Sequence, residues 1–169
     1  RLEECYWTYT FTPVFDEAGA IPGVLVVCHE TTAGVLAERR RKTLDRLGDR
    51  MQGCRTFDQV WEQARLAASR CPDIRAIRIG EAQAGDGVAP SVRIEAEGLN
   101  LAASLVLQFD ISPDLPYDLL YRQFLEQFTR VVGGACMRIE REAAEAIATA
   151  ERNRLVLEVA QHLGESTVR

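Results

Sequence analysis

The sequence offers few residues whose types and spacing could support catalysis. Its two histidines, His29 and His162, have no serine, cysteine or carboxylate nearby at the spacing of a catalytic triad or a metal site. His162 lies in a helical segment, where a solvated residue is the favoured interpretation and a phospho-accepting histidine the alternative. We therefore predict that the chain is not itself an enzyme and needs no cofactor.

Two further patterns resemble parts of active sites. Residues 80–87 are rich in glycine, but they lack the Lys-Ser/Thr of a phosphate-binding loop and do not open a helix, so a hairpin loop is predicted. Glu95 and Glu97 share one face of a strand, as paired carboxylates would. They occupy the polar side of an alternating pattern, which favours an exposed sheet face.

The five cysteines are too scattered to form a metal site, and their number is odd. No pair has metal-ligand spacing among Cys5, Cys28, Cys54, Cys71 and Cys136. Reduced, mostly buried thiols in a cytoplasmic protein are the expected state.

Composition limits the possible partners. The 169 residues carry a net charge of −5 and are 47% hydrophobic, enough for one domain or one and a half. We expect no nucleic-acid partner and no membrane partner, because there is no broad basic surface and no apolar run of about 18–20 residues. The densest basic run, residues 39–42, is interpreted as a solvated helix face rather than a phosphate or membrane contact. The start without Met suggests a fragment of a longer protein.

The first elements form a predicted β-hairpin. Residues 3–15 alternate Trp7, Tyr9 and Phe11 with threonines, and residues 21–28 form a second, more continuously apolar strand after the turn at 16–19. Two strands alone are marginal in water. We therefore expect the face carrying Trp7, Tyr9, Val24 and Val26 to be covered by the second sheet or by another subunit.

A charged helix is predicted over residues 33–52, with Thr31 or Thr32 as its cap. Its apolar stripe is thin and interrupted by the basic run, which is typical of a linker or coiled-coil helix rather than a core helix. The stripe consists of Val35, Leu36, Leu44, Leu47 and Met51.

The middle of the chain predicts a helix and three strands. Thr56 and Gln59 have the spacing of a capping box before an amphipathic helix that ends near Arg70. Strands follow at residues 73–80, 92–97 and 99–109, with Ile74 and Ala76 of the first predicted to point inward, and Ile77 and Ile79 as further candidates. The predicted order is β-β-α-α-β-β-β-α, an α+β fold with an antiparallel sheet flanked by helices.

Residues 116–164 predict one long helix that organises the chain. Apolar residues from Tyr121 to Ile139 recur at spacings of three and four, and the stripe then thins to Ala143, Ile147, Ala150, Leu155 and Leu163. An unbroken helix would span roughly 70 Å. The alternative is a break near Gly133-Gly134 or after Ala150, since an interior glycine pair requires tight packing to be tolerated.

Residues 3–41 resemble the last two strands and the exit of a PAS domain, of the type that precedes GAF domains in bacterial sensor histidine kinases. The resemblance lies in Glu4-x-Tyr6-Trp7-Thr8, Thr12-Pro13-Val14-x-Asp16-Glu17, Pro22-Gly23-Val24 and Glu30-Thr31-Thr32. It implies that Glu30, Thr31 and Thr32 form the exit motif that couples the sheet to the outgoing helix.

Residues 43–140 resemble a GAF domain in their first helix, residues 57–68, and in the start of their final helix, residues 112–126. The resemblance divides the chain into a PAS end at 1–32, a signalling helix at 33–53, a GAF-like domain at 54–140 and an exit helix at 141–169. The middle helices and strands that usually enclose the family's ligand are missing, and no cysteine is placed for bilin attachment.

The favoured function is a non-catalytic sensory or signal-relay region of a cytoplasmic multidomain protein, most simply a two-component histidine kinase. It would work as a homodimer that passes conformational change to neighbouring domains, through helix contacts at Leu36, Leu44, Leu47, Met51, Ile139 and Ile147. One alternative is a small-molecule pocket lined by Phe57, Trp61, Leu105 and Leu107. The other is a structural dimerisation adaptor.

Overall fold

The computed structural model describes residues 3–79, 91–95 and 106–166, with side chains as far as residue 158. Within these residues the chain is α+β, with two small antiparallel sheets and three helices, in the predicted order. The elements are β1 Trp7–Val14, β2 Gly23–Glu30, α1 Thr32–Gln52, α2 Phe57–Ser69, β3 Ile74–Ile79, β4 Ser91–Glu95, β5 Val106–Ile111 and α3 Leu119–Ser166.

β1 and β2 form the predicted hairpin. They pair without interruption from Trp7 opposite Glu30 to Val14 opposite Gly23. The Asp16 carboxylate accepts hydrogen bonds from the backbone N–H groups of Ala18 (2.9 Å) and Ala20 (2.8 Å), and Gly19 has a φ of 81°. The turn is therefore fixed by an aspartate that closes it and by a glycine that tolerates left-handed backbone.

One face of the hairpin is apolar and uncovered. The register places Tyr9 opposite Cys28 and Phe11 opposite Val26, so aromatic and aliphatic side chains share a face, and the threonines of β1 share the other. Trp7 is 49% exposed and Phe11 is 67% exposed. The expectation that the second sheet covers this face is wrong for this subunit, because the apolar face of that sheet packs against the helices.

The second sheet has the strand order β3-β5-β4, with β5 in the centre. Leu107, Phe109 and Ile111 of β5 alternate inward and are buried. A bulge in β3 lies between Ile74 and Ala76, after which Ile77 pairs with Phe109. The prediction that Ala76 points inward is therefore wrong, because the extra residue shifts the alternation and brings Ile77 to the core side instead.

Helices cover the apolar face of this sheet. α2 packs on β3, α3 packs on β4 and β5, and α1 packs on α2 and α3. The rings of Phe109 and Phe128 meet edge-on with centroids 5.6 Å apart. The core is thus built from one face of the sheet, the first half of the long helix, and the inward faces of α1 and α2.

α2 begins at the predicted cap. The Thr56 hydroxyl accepts a hydrogen bond from the Gln59 N–H (3.3 Å), as expected for a capping box. The Gln59 side chain accepts from the N–H of Arg55 (2.7 Å), one residue before the expected donor. Both interactions satisfy backbone donors at the start of the helix.

α1 is a core helix, contrary to its prediction as a linker. Leu47 is fully buried and Met51 is 4% exposed, and both belong to the central hydrophobic cluster. The predicted boundary between the signalling helix at 33–53 and the domain at 54–140 therefore separates α1 from the core that α1 helps to form. The sequence pattern was misleading because an inward position of the stripe is occupied by an arginine.

α3 runs without a break through Gly133 and Gly134 for 48 residues. Gly133 is buried, whereas a Cβ at Gly134 would have no neighbour within 4 Å, so tight packing is not what permits Gly134. From residue 141 to residue 158 every side chain is exposed. The helix thus extends beyond the core from residue 141 onward.

Candidate coupling site

The basic run on α1 is a buried ion-pair site rather than a solvated face. Arg40 is 7% exposed and Arg39 is half-buried, whereas Arg41 and Lys42 remain exposed and pair with Glu38. The solvated interpretation was wrong for Arg39 and Arg40, because both side chains turn toward one carboxylate beneath the helix.

That carboxylate belongs to Asp73, which lies between α2 and β3 and is fully buried. Arg40 Nε donates to Asp73 Oδ2 at 2.7 Å, and Arg39 Nη2 lies 2.6 Å from Asp73 Oδ1 as an ion pair. The second contact lacks hydrogen-bond geometry at Oδ1, and Arg39 Nε also has no hydrogen-bond partner. A buried charge is tolerated only when it is paired, so this carboxylate constrains both arginines.

Tyr121 connects the ion pair to α3. The Arg40 guanidinium lies over the Tyr121 ring, with its central carbon 4.4 Å from the centroid. The Tyr121 hydroxyl donates to the Asp73 carbonyl oxygen and accepts from the Ser112 N–H (3.3 Å). Burial raises the pKa of Tyr121 well above its ordinary value, so the hydroxyl remains a donor at any physiological pH.

Glu4 connects the same arginine pair to the base of the hairpin. Arg39 donates through Nη1 to Glu4 Oε1 (2.6 Å) and through Nη2 to Oε2 (3.1 Å), a two-point contact typical of arginine with carboxylate. These bonds hold the pKa of Glu4 below its usual value. Burial opposes the charge on Arg39, but the Glu4 hydrogen bonds and the Asp73 charge outweigh it, so the pKa of Arg39 is raised.

We define the coupling cluster as Glu4, Arg39, Arg40, Asp73 and Tyr121. It joins the segment before β1, helix α1, the α2–β3 turn and helix α3 through charge-assisted contacts. No side chain of the cluster is arranged as nucleophile and base.

The predicted exit motif lies beside the cluster. The Thr32 hydroxyl accepts from the Tyr6 N–H (2.9 Å), and the Thr31 N–H donates to the Tyr6 carbonyl oxygen (2.8 Å). Glu30 ends β2 and is exposed. Thr31 occupies the cap position of α1 without a side-chain cap bond.

The predicted dimer contacts separate into two groups. Leu47, Met51 and Ile139 are buried inside the subunit, so in this structure they cannot meet a second copy. Ile147 is 62% exposed, and Leu36 and Leu44 are half-buried at the rim of a groove between α1 and α3. The accessible positions of this set therefore lie on the outer half of α3 and at the edge of α1.

The predicted ligand pocket is not assembled from the residues that were named for it. Leu107 is fully buried in the core, whereas Phe57 is 40% exposed on the first turn of α2. Trp61 lines a groove of about 240 Å³ with charged residues of its own helix. Leu105 lies outside the described residues.

The remaining reactive residues form no additional site in the described part of the chain. All five cysteines are free, and Cys54, Cys71 and Cys136 are buried, as expected; burial raises the pKa of Cys136 to about 11. Among residues 3–79, 91–95 and 106–166 no cluster could hold a metal ion, and no helix could cross a membrane. His29 and Glu95 are exposed, while residues 80–87 and Glu97 lie outside the description.

The sequence contained a signal for the coupling cluster that the composition-based interpretation missed. Arg40 stands four residues after Leu36 and four before Leu44, which makes it an inward position of the helix. An inward arginine requires a buried acid, and Asp73 follows the proline that ends the next helix. Glu4 gave no such signal, because its distance of 35 residues from Arg39 is a product of the fold.

Comparison with protein-family models, with curated proteins and with solved structures gives no match to this chain.

Proposed function

We propose that this chain is a non-catalytic relay that couples a PAS-type hairpin to a long outgoing helix in a signalling protein. The observation that carries the proposal is the coupling cluster, in which one buried carboxylate and two arginines link the hairpin base to α1 and α3. The resemblance to PAS and GAF domains supports a multidomain, cytoplasmic parent, with a histidine kinase as the simplest case.

The relay would act through a dimer of outgoing helices. Side chains 141–158 of α3 are exposed, and they include Ile147, Leu155 and Val156 at about 61–62% exposure. A free helix of this length is stabilised when its apolar stripe packs against a partner helix. If this segment pairs with the same segment of a second copy, a movement of the helix in one copy also displaces the helix of the other copy.

The relay requires that the contact between the hairpin and α1 is present in one signalling state and absent in the other. Only an interaction that differs between the two states shifts the equilibrium between them. The Glu4–Arg39 pair is the contact suited to this, since it is the half-exposed end of a cluster whose other end is buried. Without this pair, Asp73 would be the remaining ion-pair partner of Arg39 in the cluster, and the ion pair between Arg40 and the shared Asp73 carboxylate would change.

Two measurements test the proposal in sequence. Light scattering over a concentration series should show a dimer, and Ile147→Glu should weaken it. Spin labels at Ala150→Cys, with the exposed Cys5 and Cys28 replaced by serine, should then report a different inter-helix distance distribution in Glu4→Gln than in the parent. Glu3→Gln is the matched control, because Glu3 is the exposed neighbour. A stable dimer with the same distribution of label distances with and without Glu4→Gln would favour the structural adaptor instead.

A further inference from the structure

A groove on the outer side of α1 is lined by an excess of cationic side chains. It has a volume of about 580 Å³ and lies between the first turns of α1 and the end of α2. Arg39, Lys42, Arg46 and Arg70 line it, against a single carboxylate, Glu38. On a chain with a net charge of −5, this is a local reversal of sign.

The one carboxylate in the groove is already committed. Glu38 accepts hydrogen bonds from Arg41 (2.9 Å) and lies 3.2 Å from Lys42 Nζ, and these contacts hold its pKa at about 2. Arg46 and Arg70 have no ion-pair partner among the residues that the structure describes. Two guanidinium groups, one on α1 and one directly after α2, therefore border the groove without an ion-pair partner in the described part of the chain.

The size and floor of the groove define the class of ligand. A volume of about 580 Å³ falls within the usual range for small-molecule sites. Val35 and Pro72 provide an apolar floor, and the Thr31 and Thr43 residues also line it. Arginine forks match phosphate oxygens in two-point geometry. The combination fits a small organic molecule that carries phosphate, such as a nucleotide.

We propose that this groove binds a small phosphate-bearing ligand and that binding draws the Arg39 guanidinium away from Glu4. Arg39 lines the groove and also holds the hairpin base, so one side chain belongs to both sites. A phosphate within reach of Arg46 and Arg70 competes with the Glu4 carboxylate for Arg39. The groove would then be the input site of the proposed relay, and this second step rests on the proposed function.

Binding is tested on the full chain by calorimetric titration with adenosine diphosphate and, separately, with inorganic pyrophosphate. We expect Arg46→Ala and Arg70→Ala each to raise Kd about tenfold, because charge-assisted hydrogen bonds to phosphate are among the strong ones. Arg65→Ala is the matched control, an exposed arginine of α2 outside this groove. Unchanged thermal unfolding of the three exposed variants confirms that each is folded.

Three results would overturn the binding site: no heat with either probe, equal weakening by Arg65→Ala, or unchanged affinity in Arg46→Ala and Arg70→Ala. Stronger binding of adenosine diphosphate than of pyrophosphate supports a role for the apolar floor.

Coupling to the hairpin has its own readout, the hydrogen exchange of the Tyr6 and Thr31 amides, which bridge β1 and the start of α1. Faster exchange on adding the probe supports the input role. Saturating ligand with unchanged exchange would overturn that role and leave the binding site in place. If the chain is monomeric and still binds the probe, the result would count against the proposed relay but not against the binding site.

Discussion

The hairpin and the second sheet use the same alternation of apolar and polar residues, but only the second sheet is covered. Phe109 of β5 is fully buried, whereas Phe11 of β1 is 67% exposed in an equally regular ladder. Alternation thus defines a face, and a second layer decides whether that face contributes to stability. The sheet receives its layer from α2 and α3, while the hairpin is held at its base by the coupling cluster.

The largest test of this contrast removes one aromatic ring from each region. Phe128→Ala, which removes a buried ring that meets Phe109 edge-on, should destabilise the protein by about 3–5 kcal/mol in urea unfolding. Phe11→Ala should change the free energy of unfolding by less than about 0.5 kcal/mol, as for other exposed positions. A large loss in Phe11→Ala would mean that the hairpin face is covered in solution, and a concentration-dependent loss would identify a second copy as the cover.

The next test concerns the charge that connects the two regions. Asp73→Asn leaves Arg39 and Arg40 without their buried counter-ion and should cost about 3 kcal/mol. The control is Asp45→Asn, which breaks an exposed pair with Arg41 and should cost less than about 0.5 kcal/mol. Equal costs in denaturant unfolding would show that the buried pair contributes no more than a surface pair.

Acid should detach the hairpin before it unfolds the core. Because hydrogen bonds from Arg39 lower the pKa of Glu4, their stabilising contribution is present above the ordinary pKa of 4.5 and is lost as the pH falls through the lowered value. Exchange at Tyr6 and Thr31, corrected for its intrinsic pH dependence, should therefore rise below pH 4.5 while core amides stay protected. In Glu4→Gln this acid transition should disappear, and Glu3→Gln should retain it. Simultaneous loss of protection in both regions would contradict separate attachment.

The smallest expected effect lies in α3, which packs on the second sheet. Gly134→Ala should stabilise the protein by about 0.5–1 kcal/mol, because alanine is the better helix former and its Cβ meets no atom within 4 Å. Thermal unfolding measures the gain. A loss would mean that a partner approaches the helix at this glycine.

The order of the elements could be predicted from local patterns, because each helix and strand has its own periodicity and stop signals. The inward arginine, the bulge after Ile74 and the Glu4 contact could not, because each depends on residues that meet only in the folded chain. Arg40 made α1 resemble a linker, and the same residue anchors α1 in the core. The predicted dimer positions at Leu47, Met51 and Ile139 were misplaced, because the apolar residues of these charged helices were interpreted as contacts with a partner helix, whereas all three are buried in the core of the subunit.

The unbroken course of α3 makes it a lever. Its first half is clamped in the core as far as Ile139, and about 40 Å of helix extend from there to Ser166 at 1.5 Å per residue. A tilt of about 5° at the clamped end therefore moves the far end sideways by roughly 3–4 Å. Displacements too small to rearrange the core would become large enough at the tip to change which residues of two helices meet.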